Sequence, residues 1–541
     1  MGRRCGKIKP QGSFLEYSRE LLNHERGSVP QKGGASVRIA LVYPNSYGVG
    51  MANLGFQTVY RIFNDHPNVR CERAFVFESP FDHEVRTLES KERLARFDVI
   101  GFSLSFELDL VNIIRCLLMA GIPTLAGDRT ERDPLVIFGG AVAGLNPSPL
   151  LPYLDGLLVG EGEGIFHLMS DVFHRSGKKR NSREAKLRAL AEIDGVFVPT
   201  LNSTVKRQKL DVLECYPTYT PMVTPLSHFE NMFVVEVGRG CTRGCLFCAA
   251  QKVYQPYRFR SVDSIVETVA GKNPGAKRVG LEGAGLSDYP HLEGLCESLI
   301  DMEHELSFSS IRPDRLQPEL LELLERGGVR TIAMAPETGS EKLRYNIGKR
   351  ISDKVLKDCV YLLANSSMNN LKLYFMIGLP GETDDDIQAI IDVVLELSGI
   401  FSKYQSKKRI RVSVNAFVPK PFTEFQWATM DNEKALARKR KMIIQGLKGK
   451  KGITIVTKSS REEIIQGILS LGDERVGFVL LDVVRKGIPM KRAMKENGID
   501  VDSLLYRERS LAVNLPWDFI ESDVKKENLW TRYQKYMNLL S

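Results

Sequence analysis

Phe233-Val234-Val235-Glu236-Val237, followed within three residues by Gly240-Cys241-Thr242-Arg243-Gly244-Cys245-Leu246-Phe247-Cys248, is an apolar β-branched run that ends in glycine and a C-x3-C-x2-C loop. Such a run reads as a buried parallel strand, and the loop sits where that strand stops. The chain of 541 residues has nine cysteines, too sparse for a disulfide scaffold, and three of them fall in this one loop. That usage points to metal in a reducing compartment. A structural zinc site needs four ligands, and the next candidates, His291 and Cys296, lie about forty positions on. Three thiolates suit a four-iron cluster better: they hold three irons and leave the fourth open to a further ligand.

Working outward, alternating strands and amphipathic helices continue downstream. Strands are predicted at 233–237, 278–283, 307–312, 331–335, 371–377 and 411–416, and helices near 263–271, 290–305, 316–326, 352–366 and 383–399. Six β/α units form a complete or partial barrel, with the chemistry on the loops after the strands. Upstream, apolar runs at 37–45, 71–77, 97–104, 134–138 and 155–159 predict a doubly wound parallel sheet. The domain plan is an N-terminal arm (1–36), a sheet domain (37–178), a linker (179–230), a barrel (231–428) and a small, mostly helical C-terminal region (429–541). That last region contains one short strand, Ile453 to Val456.

The composition, 43% hydrophobic and 26% charged, supports large cores and excludes a disordered chain. The net charge of +9 is uneven: residues 1–40 carry +5, residues 41–430 carry −3 and residues 431–541 carry +7. A uniformly basic nucleic-acid binder is excluded, while a basic C-terminal module is not. No apolar stretch of membrane-spanning length is present and no hydrophobic segment follows the N-terminal charges, so a soluble cytoplasmic protein without a membrane partner is expected.

The cysteine loop, with Phe247 before its third cysteine, resembles that of the radical S-adenosylmethionine (SAM) superfamily. The resemblance runs through residues 232–427: Leu281-Glu282-Gly283-Ala284-Gly285 follows the second strand, Ser310-Ile311-Arg312 the third, Ala335-Pro336-Glu337-Thr338 the fourth and Gly378-Leu379-Pro380-Gly381-Glu382-Thr383 the fifth. It implies a [4Fe-4S] cluster on Cys241, Cys245 and Cys248 that cleaves SAM reductively to a 5′-deoxyadenosyl radical. It also implies a SAM site drawn from Gly283, Gly285, Arg312, Glu337, Gly378 and Gly381, and an electron donor such as flavodoxin or ferredoxin. Glycine past a strand also serves as a plain turn, and either charge could be a solvated loop residue.

The N-terminal sheet resembles the cobalamin-binding, Rossmann-like domain found in many members of this superfamily. Tyr47, Gly50, Ser103, Gly139 and Gly140 stand at the positions the resemblance assigns to cobalamin. One departure matters: where a cobalt-ligating histidine would follow the first strand, the sequence reads Asn45-Ser46-Tyr47-Gly48-Val49-Gly50. A nicotinamide site is disfavoured because no G-x-G-x-x-G follows that strand.

Residues 434–458 hold Lys434, Arg438, Lys439, Arg440, Lys441, Lys448, Lys450, Lys451 and Lys458 with no acid. Such a run is either a solvated helix face or a contact for a phosphate-bearing partner such as RNA. The eight histidines show no ligand spacing, and no general acid or base stands out. The leading expectation is a cobalamin-dependent radical SAM enzyme transferring a methyl group to an unreactive carbon. The alternatives are an RNA-modifying radical SAM enzyme with a vestigial cobalamin domain and a non-enzymatic iron–sulfur or zinc scaffold. The substrate is not encoded in any motif.

Overall fold

The computed structural model describes residues 12–77, 81, 83–177, 182–404 and 408–540. Residues 1–11 of the N-terminal arm and the boundary expected at 178/179 lie outside the described residues. The first sheet contains β1 (Val37–Tyr43), β2 (Val69–Phe75), β3 (Val99–Ser103), β4 (Leu135–Gly139), β5 (Gly156–Leu158) and β6 (Val196–Phe197) in the order β2-β1-β3-β4-β5-β6. β1 to β5 run parallel and β6 is antiparallel to β5. The order reverses between β1 and β3, which opens a crevice at the carboxyl ends of these strands.

Alternation along the strands sends successive residues to opposite faces. Ile39 and Leu41 of β1 pack into a core with Phe56, Tyr60 and Phe63 of helix Leu54–Asp65 and with Met169 and Phe173 of helix Phe166–Gly177. Ala40 and Val42 face a second core that includes Ile113 and Leu117 of helix Leu110–Met119. That core continues into Val476 and Leu480 of helix Glu474–Lys486, Trp517, and Tyr533 and Tyr536 of helix Lys526–Met537. The end of the chain thus helps to cover a face of the N-terminal sheet, which nothing local in either segment signals.

Two short strands fall within the linker expected over 179–230. β6 adds to the first sheet, and β7 (Val205–Lys206) pairs with a strand more than three hundred residues later. Strands of two residues are too short to show a period of two.

The second layer system begins at β8 (Met232–Glu236). β9 (Gly238–Arg239) pairs antiparallel with β10 (Arg258–Phe259), so the cysteine loop leaves and returns through one ribbon. β11 (Arg278–Glu282), β12 (Glu305–Phe308), β13 (Thr331–Glu337), β14 (Asn370–Ile377), β15 (Arg409–Ala416) and β16 (Ile453–Thr457) follow. They form two parallel segments, β12-β11-β8 and β13-β14-β15-β16, joined loosely where Ile311 N–H donates to the Ala333 carbonyl at 2.8 Å. The result is an open barrel with helices on its outer face.

The six expected barrel strands all form, and a seventh joins their edge. Ile453–Thr457, expected apart from the barrel, pairs with β15 from Ile410↔Ile453 to Val414↔Thr457. Its residues are only half-buried or exposed, as suits an edge strand, so the apolar signal was weak. β17 (Ile520–Glu521) is the late partner of β7.

Candidate functional site

Gly240 enters the cysteine loop with φ +83°, and a β-carbon there would lie 2.5 Å from the Tyr254 carbonyl oxygen. Only glycine allows that approach. Cys248 is the N-cap residue of helix Ala249–Val253, and the backbone N–H groups of Gln251 and Ala250 favour its thiolate. Cys245 is buried against the next loop: Leu246 N–H donates to the Ile347 carbonyl at 3.0 Å, and Gly348 (φ +79°) lies on the Gly244 carbonyl.

Burial pushes the Cys245 thiol up to about 11, Lys349 opposing it, and raises that of Cys248 as well. Each interacts with another cysteine of the loop. Among the described residues no three His, Cys, Asp or Glu side chains converge as ligands of a single ion. Ligands of separate irons need not converge in that way. The donor set, three neighbouring cysteines on one loop with lysine and arginine close by, fits an anionic iron–sulfur cluster.

Four of the six predicted SAM-site residues gather round this loop. A β-carbon on Gly283 would lie 3.1 Å from the Gly238 carbonyl oxygen, and one on Gly285 3.0 Å from the Tyr257 ring and 3.4 Å from Cys241 Cα. Both glycines therefore let the second-strand loop lie directly on the cysteine loop. Arg312 and Glu337 act electrostatically on Cys245. Arg312 donates to both carboxylate oxygens of Asp314, at 2.9 and 3.0 Å. Glu337 ends β13 at φ +73°, beside a register shift, and pairs with Lys349 at 2.9 Å. A non-glycine residue in this left-handed region is strained, as side chains at reactive centres often are. Burial works against the Lys349 charge, yet Glu337 and Cys245 hold its pKa above the ordinary lysine value.

Gly378 and Gly381 have different neighbours. Both have positive φ, and their would-be β-carbons meet Asp431 and Leu436, and Leu540, respectively. Gly378 N–H donates to Glu382 at 2.6 Å, Glu382 pairs with Lys439 at 2.8 Å, and the Tyr536 hydroxyl donates to the Pro380 carbonyl at 2.6 Å. The turn is therefore gripped by helix Glu433–Leu447 and by the chain end.

A cavity of about 580 Å³ lies between the carboxyl ends of the first sheet and the cysteine loop. Ser103, Gly139, Gly140 and Gly160 to Glu163 line one side of it, and Gly238, Arg239, Gly240, Tyr254 and Glu282 to Ala284 the other. It deepens into an apolar slot over Leu41, Val99 and Ile137 beneath Phe63, Phe166 and Phe173. Tyr47 and Gly50 do not line it, which corrects the expectation for them. The Tyr47 hydroxyl donates to Glu25 at 2.7 Å in the core, and Gly50 is packed under the Phe75 ring. Gly140, with φ +101°, lies against the Leu104 backbone, so its glycine is required by packing as well.

Charged residues with no role assigned from the sequence weld the two sides together. Arg239 pairs with Glu161 at 3.3 Å, with Glu236 at 2.7 Å and with Glu163; Arg258 pairs with Glu161 and Arg260 with Glu236. Burial opposes the Glu236 charge, but Arg239 and Arg260 hold its carboxyl below the usual range. Asp288 likewise clamps the loop, accepting from Thr242 at 2.9 Å and pairing with Arg243 and Arg315. A sequence signal existed in the arginines that flank the loop, but two of their acids, Glu161 and Glu163, come from the N-terminal domain.

Residues 235–394 match the family described as Radical SAM superfamily, and residues 55–199 the one described as Radical SAM proteins, N-terminal. An uncharacterized protein of Methanocaldococcus jannaschii is 30% identical over 82% of this chain and 90% of its own length. The chain belongs to the radical SAM superfamily. It is thus an enzyme of the radical SAM class. A putative methylthiotransferase of the same organism is 24% identical over 68% of this chain and 77% of its own. Among solved structures, the radical SAM methyltransferase TsrM from Kitasatospora setae, with cobalamin and a [4Fe-4S] cluster bound, matches with a TM-score of 0.51. It is 14% identical, over 73% of this chain and 76% of that one, a likeness of fold.

The basic run of this radical SAM protein is not one solvated face. Lys439 and Arg440 are buried, Lys439 between Glu382 and Asp431 and Arg440 on Glu463 and Ser460. Arg438 pairs with Asp384 at 2.5 Å. Lys439 and Arg440 are thus taken up inside the protein and Arg438 is paired at its surface, which removes the centre of the expected RNA contact. Among the described residues no helix is long and apolar enough to cross a membrane.

Proposed function

We propose that Cys241, Cys245 and Cys248 hold a [4Fe-4S] cluster, that SAM binds beside it, and that a corrinoid occupies the adjoining cavity for methyl transfer to an unreactive carbon. The observation that carries this reading is the cavity itself. Its polar mouth opens on the cysteine loop and its apolar slot runs under the sheet helices, a shape suited to a large planar group with an aromatic tail. When bound, the cluster supplies the electron that cleaves SAM reductively, and the corrinoid supplies a carrier for the methyl group.

The chain's own residues then have separate tasks. Gly283 and Gly285 bring backbone close to the cysteine loop, where the SAM methionyl group belongs. Arg312 offers a guanidinium to a carboxylate, and Glu337, set by Lys349, an acceptor for hydroxyl donors. Gly378 and Gly381 act at one remove, by shaping a turn that the C-terminal helices hold in place. Ser103 and Gly139 present a hydroxyl and open backbone to the corrinoid at the cavity mouth. The electron comes from a small redox protein of the flavodoxin or ferredoxin kind.

Anaerobic reconstitution tests the reading. About four irons per chain are expected, with dithionite-dependent formation of 5′-deoxyadenosine or S-adenosylhomocysteine and a red-shifted spectrum on adding hydroxocobalamin. Full iron content in the triple Cys→Ala variant, or an unshifted corrinoid spectrum, refutes the corresponding half.

A further inference from the structure

Leu371, Leu373, Phe375 and Ile377 of β14, and Ile410, Val412 and Val414 of β15, are buried against the barrel helices. Alternation turns the intervening residues to the concave inner face: Lys372, Tyr374 and Met376 on one strand, Arg411, Ser413 and Asn415 on the other. All six are half-buried. The parallel register sets Lys372 directly beside Arg411 and Tyr374 directly beside Ser413. In the Lys372–Arg411 row, the outer neighbours are Ala333 on β13 and Thr454 on β16, so it holds two cations and no acid.

Several other half-buried or buried cations of this protein are paired with acids, as in Lys349–Glu337, Arg312–Asp314 and Lys252–Glu424. Among the described residues the side chains of Lys372 and Arg411 have no hydrogen-bond or ion-pair partner, and neither have those of Tyr374, Ser413 and Asn415 above them. Like charges side by side on neighbouring strands repel, and half-burial weakens the solvent screening that would relieve them. An anion between them removes that penalty, and the arginine fork and lysine point charge together suit a carboxylate or a phosphate.

We propose that Lys372 and Arg411 form an anion-binding subsite on the floor of the barrel, which anchors the carboxylate or phosphate of the substrate. The assignment rests on the reading above that the reaction takes place at the strand tops beside the cysteine loop. Met376 lies four positions on from Lys372, about 13 Å along the strand. The substrate class is therefore an anionic molecule whose reacting carbon lies roughly that far from its charged end. Tyr374, Ser413 and Asn415 offer a ladder of hydroxyl and amide groups to its middle.

The test is binding of inorganic phosphate and, separately, of succinate to the full-length chain at low ionic strength, read by calorimetry and by melting temperature. At least one anion is expected to bind and raise the melting temperature, with Lys372→Gln/Arg411→Gln weakening it tenfold or more. Without anion the double variant should melt no lower than the native protein, because repulsion has been removed. Response to phosphate alone assigns a phosphoryl group, and response to succinate alone a carboxylate. No response to either anion, equal binding by the double variant, or a double variant that melts lower without anion overturns the proposal. Cys241→Ala should lose iron and keep anion binding, so failure of the cluster assignment and failure of this one give different results.

Discussion

Arg258 donates to both carboxylate oxygens of Glu161, at 2.6 and 3.0 Å, across the boundary between the sheet that carries Glu161 and the ribbon that closes the cysteine loop. Arg239, the cross-strand neighbour of Arg258, reaches Glu161, Glu163 and Glu236. The cavity wall and the cysteine loop are therefore one electrostatic unit.

Breaking that unit on one side should be costly. Arg239→Met leaves Glu163 buried without its cation and is expected to destabilise the protein by about 3–5 kcal/mol, read from urea unfolding. Adding Glu163→Gln should recover part of the loss, since the uncompensated charge is then removed. An Arg239→Met midpoint equal to that of the native protein would contradict this account.

Cluster assembly should depend on each cysteine of the loop. Cys241→Ala, Cys245→Ala and Cys248→Ala are each expected to abolish SAM cleavage and to lower iron content several-fold. Far-UV circular dichroism should stay native, because the loop is held by Asp288 and by the Leu246–Ile347 backbone bond as well. Iron analysis beside dichroism checks both parts.

Corrinoid binding should be separable from the cluster. A β-carbon on Gly139 would meet only Leu158, at an ordinary 3.8 Å, so a larger side chain there can extend into the cavity without backbone strain. Gly139→Phe is expected to weaken hydroxocobalamin binding by a hundredfold or more while iron content stays at the native level. Native corrinoid affinity in this variant would exclude the cavity as the site.

Glu382 should leave a mark on the pH dependence of stability. Burial pushes its carboxyl up to about 7, Lys439 and the Gly378 N–H only partly opposing it, against an ordinary value of 4.5. The folded chain therefore binds the proton more tightly than the unfolded chain. This contribution is complete below pH 4.5 and is lost as pH rises to about 7, with a slope of up to about 1.4 kcal/mol per pH unit. Glu382→Gln should flatten that part of the curve. Urea unfolding at intervals from pH 4.5 to 8 measures it, and an unchanged slope in the variant would assign it to another group.

Most of the strands and barrel helices could be read from the chain, because hydrophobic period and glycine punctuation are local properties. The cysteine loop was legible for the same reason: its three cysteines lie within eight residues, so their spacing is a local pattern. Arg312 and Glu337 were singled out by the family resemblance alone, and both interact electrostatically with Cys245. Tyr47 misled because a tyrosine at a loop start looks the same whether its ring faces a cavity or, as here, a buried Glu25. Lys439 and Arg440 misled because a charge run shows its own sign and not its partners, which lie at Glu382 and Glu463.

What the sequence determined by itself is therefore the set of α/β units and the three clustered thiols, each a matter of period or spacing within a few residues. Tertiary structure alone decided that strand Ile453–Thr457 extends the barrel, that the last helices cover the N-terminal sheet, and that Glu161 and Glu163 grip Arg239 and Arg258. It also set Lys372 beside Arg411. These are contacts between distant segments, fixed by burial and charge pairing once the chain has closed on itself, and no local pattern encodes which partner each segment will find.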